Sequence, residues 1–101
     1  MERAVRRDDE AARYEITVDG AAGGHAEFRQ IEGATVFTHT VVDDALEGQG
    51  VGGDLVRGAL DDVRARGGRV VPLCGFVRSW IERHEPYADL VDDELLAKLR
   101  S

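Results

Sequence analysis

The feature that most constrains this chain is a change of period across one glycine-rich turn. Ala34 to Val42 is almost wholly β-branched or aromatic, with His39 the main exception, and reads as a strand. From Val51 onward, Val51, Leu55, Val56, Ala59, Leu60 and Val63 recur on one helical face, while Asp54, Arg57, Asp61, Asp62, Arg64 and Arg66 fill the other. Between strand and helix lies Glu47-Gly48-Gln49-Gly50-Val51-Gly52-Gly53. Glycines let the backbone turn tightly and approach a ligand without a Cβ in the way. The first amides of the helix lack internal partners and the helix dipole favours an anion, so phosphate or pyrophosphate is the matching ligand chemistry. A glycine loop that serves folding alone is the competing reading.

The flanking segments place this unit in a sheet. Residues 1–12 are charged with little periodicity and read as a flexible lead-in, which leaves 13–101 as one domain. Arg13 to Val18 alternates as a half-buried strand. Asp19 to Gly24 reads as a loop, His25 to Ile31 as a second strand, and Glu32-Gly33 as the tight turn of a hairpin into the long strand. Gly67-Gly68 stops the helix, and Val70 to Leu73 is a short strand placed at a sheet edge by Pro72. Phe76 to Arg83 is helical, Pro86 ends it, and Asp92 or Asp93 caps a last short helix through Leu99. The strand–helix–strand crossover makes the long strand and the Val70–Leu73 strand parallel neighbours. The expected fold is therefore α/β (α+β), with a mixed, mostly antiparallel sheet flanked by helices.

Composition removes several function classes. A chain of 101 residues allows one domain. Thirteen basic against twenty acidic residues give a net charge of −7, which argues against nucleic acid or an anionic membrane as partner. Cys74 is the single cysteine, and His25, His39 and His84 have no metal-ligand spacing, so neither a disulfide nor a metal site is expected. No apolar run reaches the ~18 residues of a spanning helix, and the N-terminus has no secretory h-region, so the expected location is cytoplasmic. The glycine turn is not a P-loop, because it lacks a lysine followed by serine or threonine. It fits a dinucleotide fingerprint loosely, but the chain has no room for a mononucleotide half.

His39-Thr40-Val41-Val42, then Gly48-Gln49-Gly50-Val51-Gly52 and Leu55-Val56, resemble the acetyl-CoA-binding motif of the GCN5-related N-acetyltransferases. Val71-Pro72-Leu73-Cys74 with Phe76-Val77, and the tail Ile81 to Leu90, are similar to a minimal single-domain subgroup of that superfamily. Two positions depart from the pattern: Glu47 stands where the superfamily usually has glutamine or arginine, and His84-Glu85-Pro86-Tyr87 exchanges the middle pair of a His-Pro-Glu-Tyr tail. The resemblance covers Tyr14 to Val91 and implies a sheet that splays open near the glycine turn, with acetyl-CoA in the opening. It implies a pyrophosphate on the amides of Gln49, Gly50, Val51, Gly52 and Gly53. It further implies a pantetheine arm along Thr40, Val41 and Val42, and a thioester directed toward Cys74.

Acetyl transfer needs a neutral amine, a donor to the oxyanion and a proton for the leaving thiolate. His39 is either a general base or a strand histidine bonded to its neighbour. Cys74, ahead of a helix start, is either an acetyl carrier or a small buried hydrophobe. The acceptor is a primary amine on a small molecule or a protein. The small fold leaves little mass for an acceptor pocket, so a partner protein or second subunit is a candidate to complete it. The competing function is an acyl-CoA or phosphate-ligand-binding module with little or no turnover.

Overall fold

The computed structural model describes residues 2–100. Five strands form one sheet: β1 (Arg3–Asp8), β2 (Arg13–Val18), β3 (Ala21–Ile31), β4 (Ala34–Val42) and β5 (Arg69–Pro72). They lie in sequence order; the first four are antiparallel, and β5 joins β4 in parallel. The helices are α1 (Val51–Ala65), α2 (Gly75–Glu82) and α3 (Asp93–Arg100), with short 3-10 turns at Asp44–Leu46 and Glu85–Leu90. The mixed, mostly antiparallel sheet flanked by helices is the expected fold.

The period-two positions of the strands and the helical stripe of α1 meet in one core. Tyr14, Ile16, Phe28 and Phe37 pack with Leu55, Val56, Leu60, Val63, Val77 and Trp80. A smaller cluster on the other sheet face, Ala34, Val36 and Val71, is covered by Leu95 of α3. Asp92 accepts from the Leu95 amide at 3.0 Å and caps α3 as the sequence indicates. Glu32 and Gly33, and likewise Asp19 and Gly20, have positive φ at both turn residues, the requirement of a type I′ hairpin. The second pair corrects the reading of Asp19 to Gly24 as a loop: β3 starts at Ala21, and small residues hid its pattern.

The lead-in is corrected as well. Arg3–Asp8 pairs with β2 along its whole length, and its Val5 face lies on α1. The contact depends on Gly58: a Cβ there would lie 2.6 Å from Val5, so only glycine admits the strand. A glycine inside a helix costs about 1 kcal/mol relative to alanine, and here it makes room for a fifth strand. On the polar face of α1 the i,i+4 pair Arg66–Asp62 forms at 2.7 Å, whereas Arg57 and Asp61, also four apart, do not pair. Arg57 instead approaches Tyr87, whose hydroxyl donates to Asp61 at 2.8 Å.

One irregularity of β4 decides what the sheet presents to its neighbours. Phe28 pairs with Phe37, but Glu27 pairs with His39, so Thr38 is an inserted bulge residue. Cross-strand partners share a face, so Thr40 and Val42, opposite Ala26 and Gly24, turn toward α1. His39 and Val41, opposite Glu27 and His25, turn to the uncovered face.

Candidate functional site

β4 and β5 part company beyond Phe37. Their pairing ends at Phe37 with Pro72, and the Cys74 amide makes a last bond to the Phe37 carbonyl at 2.9 Å. Proline has no N–H to continue the ladder, and the chain turns away into α2. Among the described residues, Thr38 to Val42 therefore have no strand on that side. The splayed opening ends at the glycine turn, where a groove of about 380 Å³ is lined by Thr40, Val42, Leu46, Glu47, the turn glycines and Phe76.

The turn is built to leave donors available. Gly48 and Gly50 have φ of +82° and +75°, which L side chains rarely adopt. Gly50 is the N-cap of α1 and carries no capping side chain. The bond that closes the first turn runs from the Asp54 amide to the Gly50 carbonyl at 3.1 Å, so the amides of Val51, Gly52 and Gly53 precede it. Gln49 differs from the other expected donors: its amide already donates to the Leu46 carbonyl at 3.3 Å. The donor set toward a ligand thus runs from Gly50 to Gly53. Val51 is buried in the core, so it can act there only through its backbone. Gly52 is a glycine for a packing reason: a Cβ would lie 2.6 Å from the ring of Phe76, which lies over the helix start and is 43% exposed. Phe76, named in the sequence as part of the family resemblance and not as a site residue, lines the groove.

Cys74 sits one layer below the groove as N-cap of α2, and its Sγ lies 3.4 Å from the Thr40 hydroxyl. Thr40 lines the groove, so it connects the opening to the thiol. His39 and Val41 are not brought to this side. His39 stands across from Glu27, whose carboxylate lies 3.0 Å from His25 Nε2. His84 is occupied structurally: its Nδ1 meets the Trp80 carbonyl at 2.7 Å, and its ring stacks on Trp80 at 3.8 Å. Among the described residues, no group of three His, Cys, Asp or Glu is arranged to hold a metal ion, and no helix is long and apolar enough to cross a membrane.

Solved structures share this architecture. A GCN5-like protein from Staphylococcus aureus matches with a TM-score of 0.67 and 22% identity over 87% of this chain and 86% of its own. The ribosomal-protein-S18-alanine N-acetyltransferase of Escherichia coli matches with a TM-score of 0.61 and 16% identity, over 76% of this chain and 53% of its own. A GNAT family acetyltransferase from Brucella melitensis, crystallised with acetyl-CoA, matches with a TM-score of 0.54 and 25% identity, over 71% of this chain and 54% of its own. The chain thus spans about half the length of the last two. No functionally curated protein matches it. The family model described as GCN5-related N-acetyl-transferase matches residues 13–90, from the start of β2 through the turn after α2. With strand, splay, glycine turn and helix all inside that match, the chain belongs to the GCN5-related N-acetyltransferase family.

Proposed function

We propose that this protein transfers the acetyl group of acetyl-CoA to a primary amine, on a small molecule or a protein, in the cytoplasm. The observation that carries the reading is the groove in which uncommitted helix amides, an open strand edge and the Thr40–Cys74 pair meet. The amides of Gly50 to Gly53 suit a pyrophosphate, and the unpaired edge of β4 suits the amide groups of a pantetheine arm. The Brucella relative, crystallised with acetyl-CoA, supports the same ligand here.

Acetyl-CoA supplies an acyl thioester. The acceptor ammonium loses a proton, its nitrogen attacks the carbonyl carbon and sheds a second proton as the carbon–sulfur bond breaks and the amide forms, and the CoA thiolate takes up one proton. Thr40 and Cys74, 3.4 Å apart, are the groups with which this chain holds the thioester region and returns that proton. An amine that reaches the β4 edge from the uncovered face passes His39, with Glu27 across the strand. His39 is the candidate to accept the ammonium proton. Asp43, Asp44 and Glu47 border the turn and favour a cationic acceptor.

Direct transfer needs no nucleophile from the enzyme. Cys74→Ala should therefore lower turnover severalfold while acetyl-CoA binding, measured by calorimetry, persists. Complete loss of activity in a folded, ligand-binding variant would establish Cys74 as a carrier. That outcome must be matched by an acetyl adduct on the Cys74 peptide that forms and discharges as fast as turnover. Tight acetyl-CoA binding without transfer to any amine in a broad panel would return the acyl-CoA-binding module as the function.

A further inference from the structure

We propose that Arg3, on the outermost strand, is the positioning residue that sets the orientation of the glycine turn for anion binding. The inference rests on the proposed binding of CoA at that turn. Arg3 reaches across from β1 to bond the Gln49 carbonyl at 2.8 Å and the Asp54 carboxylate at 2.7 Å. Its side chain is only 20% exposed, and its Nη1 would lie 3.9 Å from a Cβ built on Gly50.

The bond to Gln49 determines which way a donor points. The Gln49–Gly50 peptide is trans, so its N–H is directed opposite to its C=O. Arg3 holds the carbonyl on the β1 side, which turns the Gly50 N–H toward the side where Gly50 lines the groove. Gly50 has the φ freedom that would let this peptide flip, and a flip would aim a carbonyl oxygen at an incoming phosphate. The rest of Gln49 is tied elsewhere: its amide bonds Leu46 and its side chain reaches the Ala45 carbonyl at 3.5 Å. Arg3 also pairs with the acid in the first turn of α1, where an unpaired Asp54 would repel an anion.

The test compares Arg3→Gln, Arg3→Lys and Val5→Ala with the wild type. Val5→Ala loosens the β1 contact with α1 at Gly58 without touching the turn, and so controls for a merely structural effect. Arg3→Gln should weaken CoA binding about tenfold by calorimetry and shift the Gly50 and Val51 amide resonances. Arg3→Lys should recover part of the affinity, since one ammonium can reach the carbonyl. Val5→Ala should lower the melting temperature yet bind CoA within twofold of the wild type. Equal CoA affinity for Arg3→Gln and Val5→Ala, with the Gly50 amide unmoved, would overturn the proposal. If the wild type does not bind CoA, the proposed function fails, and the Gly50 resonance in Arg3→Gln still decides whether Arg3 orients the peptide.

Discussion

The two ends of α1 are finished in opposite ways. At the C-terminal end every available device is used. Gly67 takes φ of +73° and donates to Arg64 at 3.0 Å, and Gly68 donates to Val63 at 3.0 Å, which completes a Schellman motif. Asp62 accepts from both Tyr14 and Arg66, at 2.6 and 2.7 Å. Arg64 makes a two-pronged pair with Asp89, at 2.9 and 3.0 Å, and Tyr87 donates to Asp61. At the N-terminal end the N-cap is a glycine without a side chain, and the first amides precede any intrahelical bond. A recess of about 550 Å³ beside Arg64 and Tyr87 is larger than the groove at the turn, yet Arg64 there already pairs with Asp89 and Tyr87 with Asp61. Volume and uncommitted hydrogen bonding thus point to different places on this molecule.

The sharpest break in this contrast is Gly50→Val. A β-branched residue is strained at positive φ, and its Cβ would lie 3.9 Å from Arg3 Nη1, beside the tie that holds the turn. CoA affinity should fall by at least about 100-fold, measured by calorimetry. The same affinity in a folded variant would remove the turn from the binding site.

Tyr14→Phe acts at the finished end and should do the reverse. The buried hydroxyl bonds a carboxylate and accepts from Arg7 at 2.9 Å, so its loss should cost about 1.5–3 kcal/mol in urea unfolding with CoA affinity unchanged. Burial first, and then the bond to Asp62, push the Tyr14 pKa up to about 12, so the hydroxyl stays protonated at any working pH. Partial burial works to raise the Asp62 pKa, but the bonds from Tyr14 and Arg66 outweigh it and hold the carboxyl below the usual range. A pKa depressed on folding stabilises the protein above the unfolded value and loses that contribution as pH falls through the folded value. Below about pH 4, wild-type stability should therefore fall more steeply than that of Tyr14→Phe. Parallel curves would mean that the bond does little.

Glu47→Gln is the smallest change. Glu47 is exposed at the rim of the groove, and removing one screened like charge should tighten CoA binding by about 0.5–1.5 kcal/mol at low salt. The gain should shrink as salt is added. An unchanged affinity at low salt would show that the carboxylate leans away from the ligand.

What could be read from the sequence follows a physical division. α1, β4, the hairpin at Glu32-Gly33 and the glycine turn are local, and period or turn chemistry declares each of them. β1 does not declare itself because RAVRRD has neither strong alternation nor β-branched density, and its notch at Gly58 comes from an element distant in sequence. A glycine inside a helical pattern was the one available sign of that close approach. The placement of His39 could not be read for a different reason. A bulge at Thr38 is a backbone event without a side-chain signature, yet it reverses which residues of β4 face the turn. The family resemblance names Thr40, Val41 and Val42 together, and the bulge is the physical cause of Thr40 and Val42, but not Val41, facing the turn.

The tie between Arg3 and the glycine turn also sets an order of assembly. Its two bonds join residues 46 and 51 positions apart, so they close among the longest loops in the chain. β1 can pair with the adjacent β2 as a local hairpin, but the Arg3 side chain has nothing to bond until the glycine turn and the first turn of α1 have been made. Contacts of such high sequence separation form late, because chain entropy must be lost before they return any stability. The sheet and helices thus form before Arg3 closes on the turn, and the orientation of the turn is the part completed last.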